Sequence, residues 1–316
     1  MPGRPRTNRS VRQRLLPRPL PQPARPTSVM AKWVARGCCL AIAVLSLSAA
    51  AAQQLPLEPF HQAGQSVTGA FEGWYPNPDG TSTLLFGYMN RNFKESLDIP
   101  VGPNNHIDPG GPDRGQPTHF LPRRQWGVFT VTVPKDFGRQ QITWTLVANG
   151  QETSIPGNLN PLWVVSPFQE ESMHNTPPFV GFDPGGAWLQ GPPRGIAKSL
   201  NASLHTPLPL TVWAADDAKV LEGSKKTPLG LPIVITWSKF RGPGDVIFGK
   251  EKPPLEKTES PAPPGTTVNA RFSTTASFIE PGEYILEVTA NDWSGDGGRG
   301  FQCCWTSAQV KVTVKP

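Results

Sequence analysis

The chain has 316 residues, with 30 Lys and Arg against 24 Asp and Glu and a formal net charge of +6. Nine of those cations, from Arg4 to Arg36, precede Ala52 with no acid among them, so the remainder carries 21 cations against 24 acids, about −3. A slightly acidic remainder gains no electrostatic drive toward phosphate backbones, which excludes nucleic acid as a primary partner.

Composition also bears on order. The 38 Pro and 31 Gly are close to twice their usual combined share of about 12%, which fits either a disordered chain or short strands joined by tight turns. The 10 Trp and 15 Phe favour strands, because disordered chains are poor in aromatic residues that need burial.

In chain order, residues 1–29 are rich in Pro and Arg, lack apolar periodicity, and read as a disordered extension upstream of a misassigned start. Residues 30–52 read as a secretory signal peptide: Lys32 and Arg36 form the basic region, Cys38 to Leu47 the apolar run, and Ser48 to Ala52 the small residues before a cleavage at Gln53. The uncharged stretch Gly37 to Ala52 has 16 residues, short of the roughly 18 or more that span a bilayer. The expectation is a secreted or periplasmic protein with no membrane span after cleavage.

The region 53–206 reads as an N-terminal β-sandwich with long loops. Asn77-Pro78-Asp79-Gly80 is a turn between the strand around Phe71 to Tyr75 and the one from Thr83. Gly127 to Val133 alternates, and Ile142 to Ala148 meets Gln151 to Ile155 through Asn149-Gly150, the strongest short hairpin signal. Pro100 to Arg124 and Pro167 to Pro193 are long Pro- and Gly-rich connections of the kind that carry function or mobility. The region 207–316 reads as a second antiparallel sandwich: Tyr284, Leu286, Val288 and Ala290 alternate with Glu287, Thr289 and Asn291, and Ala308, Val310, Val312 and Val314 repeat the pattern, one face buried and one wet. The fold class is all-β, two antiparallel sandwiches after a signal peptide.

The residues from Ile235-Thr236-Trp237 to Val246-Ile247-Phe248, then Ala276-Ser277-Phe278, Pro281-Gly282-Glu283-Tyr284-Ile285-Leu286, Val288-Thr289-Ala290-Asn291-Asp292 and Val310-Lys311-Val312-Thr313-Val314 carry a likeness. Over Leu210 to Val314 the chain resembles PKD-type immunoglobulin-like domains of bacterial secreted and surface proteins. The resemblance implies a seven-strand spacer or adhesion module without catalysis of its own. Gly249 to Thr267 departs from that pattern as a long Pro-rich insertion, and Gly295 to Trp305 departs by carrying a cysteine pair. In the first region, Pro112-Asp113-Arg114-Gly115-Gln116-Pro117-Thr118-His119-Phe120 resembles bacterial secreted proteins to which no activity attaches.

Chemistry-bearing groups are few. Once Cys38 and Cys39 leave with the leader, Cys303 and Cys304 remain, adjacent in sequence. Their Cα atoms, about 3.8 Å apart across a trans peptide, are closer than ordinary disulfides allow, which leaves three readings open: a structural vicinal disulfide, unpaired or intermolecular thiols, and a redox, ligand or metal site. Asp292 and Asp296, with Asn291 and Ser294, offer oxygen ligands for Ca²⁺ but lack EF-hand spacing, and turn-making explains them equally; no cofactor is otherwise implied. His106, Asp108, Asp113, Arg114 and His119 share the first long loop, with Asp113 and His119 the first choices for an acid–base or metal site, although they match no established ligand spacing. No G-x-S-x-G elbow or phosphate-binding glycine loop is present. Trp74, Tyr75, Trp126, Trp163, Trp188 and Phe179 fit either an exposed platform or core packing. The composite reading is a non-catalytic binding or scaffolding protein with a protein or carbohydrate ligand. The alternatives are a hydrolytic or metal-dependent enzyme using the first region's loops, or a redox or metal site at the cysteine pair.

Overall fold

Strands alternating at a period of two, broken by Gly and Pro turns, account for nearly all the regular structure. The computed structural model describes residues 60–171, 174–219, 232–292 and 303–316. The expected leader lies outside them. Within these residues, apart from one 3-10 turn at Pro161–Trp163, every regular element is a strand, and no helix is long and apolar enough to cross a membrane.

The first sandwich comprises β1 (Val67–Pro76), β2 (Ser82–Asn90), β3 (Leu97–Asp98), β4 (Asn105–Asp108), β5 (His119–Phe120), β6 (Arg123–Val133), β7 (Gln141–Ala148) and β8 (Gln151–Asn158). One sheet has the order β1-β2-β6, another β4-β7-β8, and β3 pairs with β5. Trp144, fully buried on β7, meets the rings of Phe86 and Phe129 edge-on at 6.2 and 4.9 Å and fastens the two larger sheets. The expected hairpins form. Asn149 and Gly150 take φ of 48° and 75°, the positive values a type I′ turn needs, and pair Ala148 with Gln151. The connection from Pro100 to Arg124 is more ordered than its Pro and Gly content implies, because β4 and β5 are built from it.

The second sandwich comprises β9 (Phe179–Gly181), β10 (Trp188–Leu189), β11 (Ile196–Ser203), β12 (Leu208–Asp216), β13 (Ile233–Arg241), β14 (Val246–Phe248), β15 (Glu256–Lys257), β16 (Val268–Phe278), β17 (Gly282–Asp292) and β18 (Trp305–Lys315). Its sheets run β10-β9-β12-β16-β14, with β15 also on β16, and β11-β18-β17-β13. Two features differ from expectation. The strands β9 to β11 precede Thr206 yet belong here, pairing with β12 and β18, so the join expected near Thr206 falls inside this sandwich. Two- and three-residue strands in a Pro-rich stretch are too short to show periodicity. The β11–β18 ladder is also parallel, in an otherwise antiparallel pair of sheets. The insertion after Phe248 covers the β13 edge, where the Trp237 N–H donates to the Glu251 carbonyl at 2.8 Å, which protects an exposed strand edge from stray pairing.

The sandwiches share a residue. On β13, Ile233, Ile235 and Trp237 face the second core, and the ladder to β17 shifts between Lys239 and Arg241, leaving Phe240 as the extra residue of a bulge. Bulges re-aim side chains. Phe240, 3% exposed, packs into the core of the first sandwich, joined there by Ile285 from β17. The outer face of this sheet is therefore covered over the middle of β13, β17 and β18 while β11 stays open, and the expectation that Glu287 and Asn291 face water is corrected: they are 9% and 8% exposed.

Phe240→Ala removes the aromatic anchor from a foreign core, and the expected loss is about 3–5 kcal/mol, read by urea unfolding. A loss below about 1 kcal/mol would mean the sandwiches dock without it.

Candidate functional site

Where the covered sheet diverges from β6, a cleft of about 230 Å³ remains. Its floor is the polar face of the second sandwich: Thr236 and Ser238 from β13, Glu287, Thr289 and Asn291 from β17, and Trp305 from β18. Its roof is the start of β6, with Arg124, Gln125 and Trp126, and Lys252 stands on the β13 side.

Two bulges build the roof. In β1 the register shifts between Phe71 and Gly73, leaving Glu72 unpaired in the ladder. In β6 the register jumps between Phe129 and Gln125 opposite β2. Glu72, 6% exposed, reaches across β2 and accepts from Arg124 Nη2 at 2.5 Å and from the Gly127 N–H at 2.7 Å. It crosses at Gly87, where a Cβ would sit 2.4 Å from the Gln125 carbonyl oxygen, so only glycine lets the carboxylate pass. Burial raises the Glu72 pKa, and the Arg124 charge and the Gly127 N–H oppose that rise. The Arg124 guanidinium then lies 3.8 Å over the Trp126 ring, a cation–π contact. Gly127 has φ 56°, and a Cβ there would fall 2.5 Å from Trp305 Cζ2, so roof and floor meet at that residue.

The floor holds two buried polar atoms without a protein partner, Glu287 Oε2 and Trp305 Nε1. Each such group costs roughly 1–3 kcal/mol relative to a satisfied one. Burial pushes the Glu287 carboxyl up to about 8, with the Gln309 side chain the opposing hydrogen bond, so at neutral pH this carboxyl is protonated. Thr289 and Ser307 hydroxyls pair at 3.1 Å beside it. The residues that wall the cleft thus carry hydroxyls, a carboxyl and an indole N–H, with one roof cation already matched to Glu72.

The loop residues singled out from sequence lie elsewhere and do not converge. Asp113 takes a two-pronged ion pair from Arg241, at 2.9 and 2.8 Å, which holds its carboxyl below the ordinary value. His119 Nδ1 lies 2.9 Å from Asp98 Oδ1, and Lys239 Nζ 3.1 Å from the same oxygen. Burial alone would raise Asp98, but His119 and Lys239 hold it low. The Thr118 N–H donates to the Phe240 carbonyl at 3.2 Å. Asp113 and His119 therefore belong to two separate clasps that hold the first sandwich on β13. His106 pairs with Asp108 at 3.5 Å, and Arg114 caps the Pro109 carbonyl at 3.1 Å.

Cys303 and Cys304 form a vicinal disulfide across a cis peptide, each 1% exposed. Asp292 is buried at the end of β17, and Asp296 lies outside the described residues. Among the described residues no group of three or more His, Cys, Asp or Glu gathers as a metal centre. The aromatic residues divide between cores and surface: Tyr75 is buried, and Trp126 and Trp163 are 36% and 52% exposed. Sequence reading placed Glu287, Thr289 and Asn291 correctly on one face but missed the cleft, because nothing local announces that a second sandwich will cover that face.

No family model matches the chain, and no curated protein matches it. Among solved structures, domains 4 and 5 of the S-layer protein SbsC match at 9% identity over 79% of this chain and 98% of that one, with a TM-score of 0.22. The D00-D0 domain of intimin matches at 10% over 79% and 100%, with a TM-score of 0.24. The Yersinia pseudotuberculosis adhesin InvE matches at 13% over 80% and 59%, with a TM-score of 0.19. Likenesses this loose establish neither a family nor a function.

An acid whose pKa rises from 4.5 to about 8 on folding binds its proton more tightly in the native state. Its stabilising contribution is complete below the lower value and is lost as pH rises through the higher one. Glu287→Gln fixes the neutral form, so wild type should lose stability relative to the variant between about pH 5 and 8 and no further above that, in urea unfolding at several pH values. A difference independent of pH would show that Glu287 is already ionised.

Proposed function

We propose that this is a non-catalytic binding or scaffolding protein of the bacterial envelope or exterior, and that its cleft receives a neutral, hydroxyl-rich group such as one sugar unit of a glycan. The observation that carries this reading is the presence, in the lining of one cleft, of a buried carboxyl oxygen, Glu287 Oε2, and a buried indole N–H, Trp305 Nε1, without protein partners. A protonated carboxyl both donates and accepts, the complement of a hydroxyl, and the Thr and Ser hydroxyls beside it extend the same chemistry. Trp126, partly exposed at the roof, adds an apolar surface with a polar tip. A cleft of about 230 Å³ is smaller than the roughly 300–1,000 Å³ of drug-sized pockets, so it suits one group of a larger ligand.

Export rests on the leader read at Met30 to Ala52. The second sandwich, on the residues that resemble PKD-type domains, fits a module that presents or spaces the first. A hydrolytic or metal-dependent site at Asp113 and His119 is less well supported, because each side chain is engaged in a different clasp. A redox or metal role for Cys303 and Cys304 is less well supported because both are buried.

Screening the purified protein on a glycan microarray, followed by calorimetry with the best-bound sugar, tests the reading. Trp126→Ala and Ser238→Ala should each weaken binding, Trp126→Ala by roughly tenfold given the value of an aromatic contact, with unchanged circular dichroism. An array without binding above background removes the carbohydrate ligand. Intact mass of the exported protein should begin at Gln53, and a mass that includes Met30 would refute cleavage.

A further inference from the structure

Far along the second sandwich from Phe240, its core ends in oxygen. The inward row of β12 runs Leu210, Val212, Ala214 and then Asp216, and that of β17 runs Tyr284, Leu286, Val288, Ala290 and then Asp292. At one end of the core, strands of both sheets thus place a carboxyl where the preceding positions place hydrocarbon. Asp216 is 1% and Asp292 3% exposed. They are neighbours: after burial and the Ala218 N–H, the Asp292 charge is the next influence on the Asp216 carboxyl.

A third segment joins them. Asn175, 1% exposed, donates from Nδ2 to Asp292 Oδ2 at 2.5 Å, and the next residue, Thr176, donates from Oγ1 to Asp217 Oδ2 at 3.0 Å. The Asn175 carbonyl oxygen lies 3.7 and 3.4 Å from the Sγ atoms of Cys303 and Cys304, so the vicinal disulfide backs the segment that carries Asn175. Asp216 Oδ2 accepts from the Ala218 N–H at 2.7 Å, while Lys219 Nζ reaches the His174 carbonyl at 2.9 Å and Asp217 at 3.3 Å.

Two oxygens in this group are buried without a hydrogen-bond partner: Asp216 Oδ1 and Asn175 Oδ1. Neither is an oxygen already engaged by Ala218 or by Asp292. Buried acceptors that lack donors, contributed by separate segments of chain and including carboxylate and amide oxygens, are what a hard divalent cation is held by. We propose that this end of the second sandwich binds a calcium-class cation through Asp216, Asn175 and Asp292. Calcium fills the rest of its six to eight positions, as a rule, with backbone and water oxygens. Imidazole and thiolate ligands are missing from this set, which disfavours zinc and copper. The site is separate from the cleft, so it stands whether or not the cleft binds a sugar.

The full-length protein, stripped with chelator and dialysed, is titrated with Tb³⁺ and excited through its tryptophans, and its melting temperature is compared in CaCl₂ and in EGTA. The expected result is saturable Tb³⁺ emission displaced by Ca²⁺, and a melting temperature higher by roughly 5–10 °C when calcium stands about a hundredfold above Kd. Asp216→Asn and Asn175→Ala should each lose most of the calcium-dependent rise. Either variant can lower basal stability, so the quantity compared is the difference between CaCl₂ and EGTA for each protein. Equal melting temperatures in the two buffers, with no calcium-displaceable Tb³⁺ signal from the unmutated chain, overturn the proposal. A calcium effect that survives in both variants overturns it too, because the cation then sits elsewhere.

Discussion

One aromatic ring in a foreign core governs the arrangement of this molecule. Phe240 belongs by sequence to β13 of the second sandwich, and a bulge at Lys239 to Arg241 turns it into the core of the first. Burying a phenylalanine contributes about 1.5–3 kcal/mol, enough to set the docking position but not to exclude alternatives by itself. The flanking residues supply that selectivity. Lys239 reaches Asp98, and Arg241 grips Asp113 and the Gln116 carbonyl, so three consecutive residues of one strand read three features of the first sandwich. Interfaces of this kind take affinity from the apolar anchor and orientation from the charges.

Covering that sheet changes the chemistry of its outer face. A strand that alternates apolar and polar residues is built for one wet side, and here Glu287, Asn291, Ser307 and Gln309 become buried without becoming apolar. Most such groups find partners, as Thr289 does with Ser307. Glu287 keeps one oxygen without a partner and meets the cost of burial by holding its proton. The cleft lies beside the Phe240 and Ile285 anchors, and its polarity follows from the Thr, Ser, Glu and Asn side chains that β13 and β17 present on the same outer face.

Much of the local structure was legible in the sequence because it is decided by neighbours in the chain. Asn149-Gly150 and Asn77 to Gly80 declare their turns through backbone conformation, and the rows Tyr284 to Ala290 and Ala308 to Val314 declare their buried faces through alternation. What was not legible is decided at long range. β9 and β10 are too short to show a period, and β9 and β11 form where β12 and β18 offer them edges. Asp113 and His119 looked like a site because polar residues clustered in one loop, yet their partners, Arg241 on one side and Asp98 with Lys239 on the other, lie far away in the chain or on another strand. Phe240 did leave a trace, an aromatic residue interrupting the polar row of Thr236 and Ser238 between two cations, but alternation alone assigns such a residue no destination.

The cleft also depends on residues that never touch its interior. Arg124 lines the roof, but its position is set by Glu72, and Glu72 reaches it only because Gly87 leaves the surface of β2 bare. Gly127 gives its N–H to the same carboxylate while its missing side chain leaves room for Trp305. A methyl group at either glycine would move the roof before it altered any group facing the cleft. Rigid placement of this kind is what a binding surface needs if a few polar groups are to select one ligand geometry, and it explains why a carboxylate as deeply buried as Glu72 is tolerated. Its partners are fixed on β6, so its desolvation is offset by the same contacts that hold the roof in place.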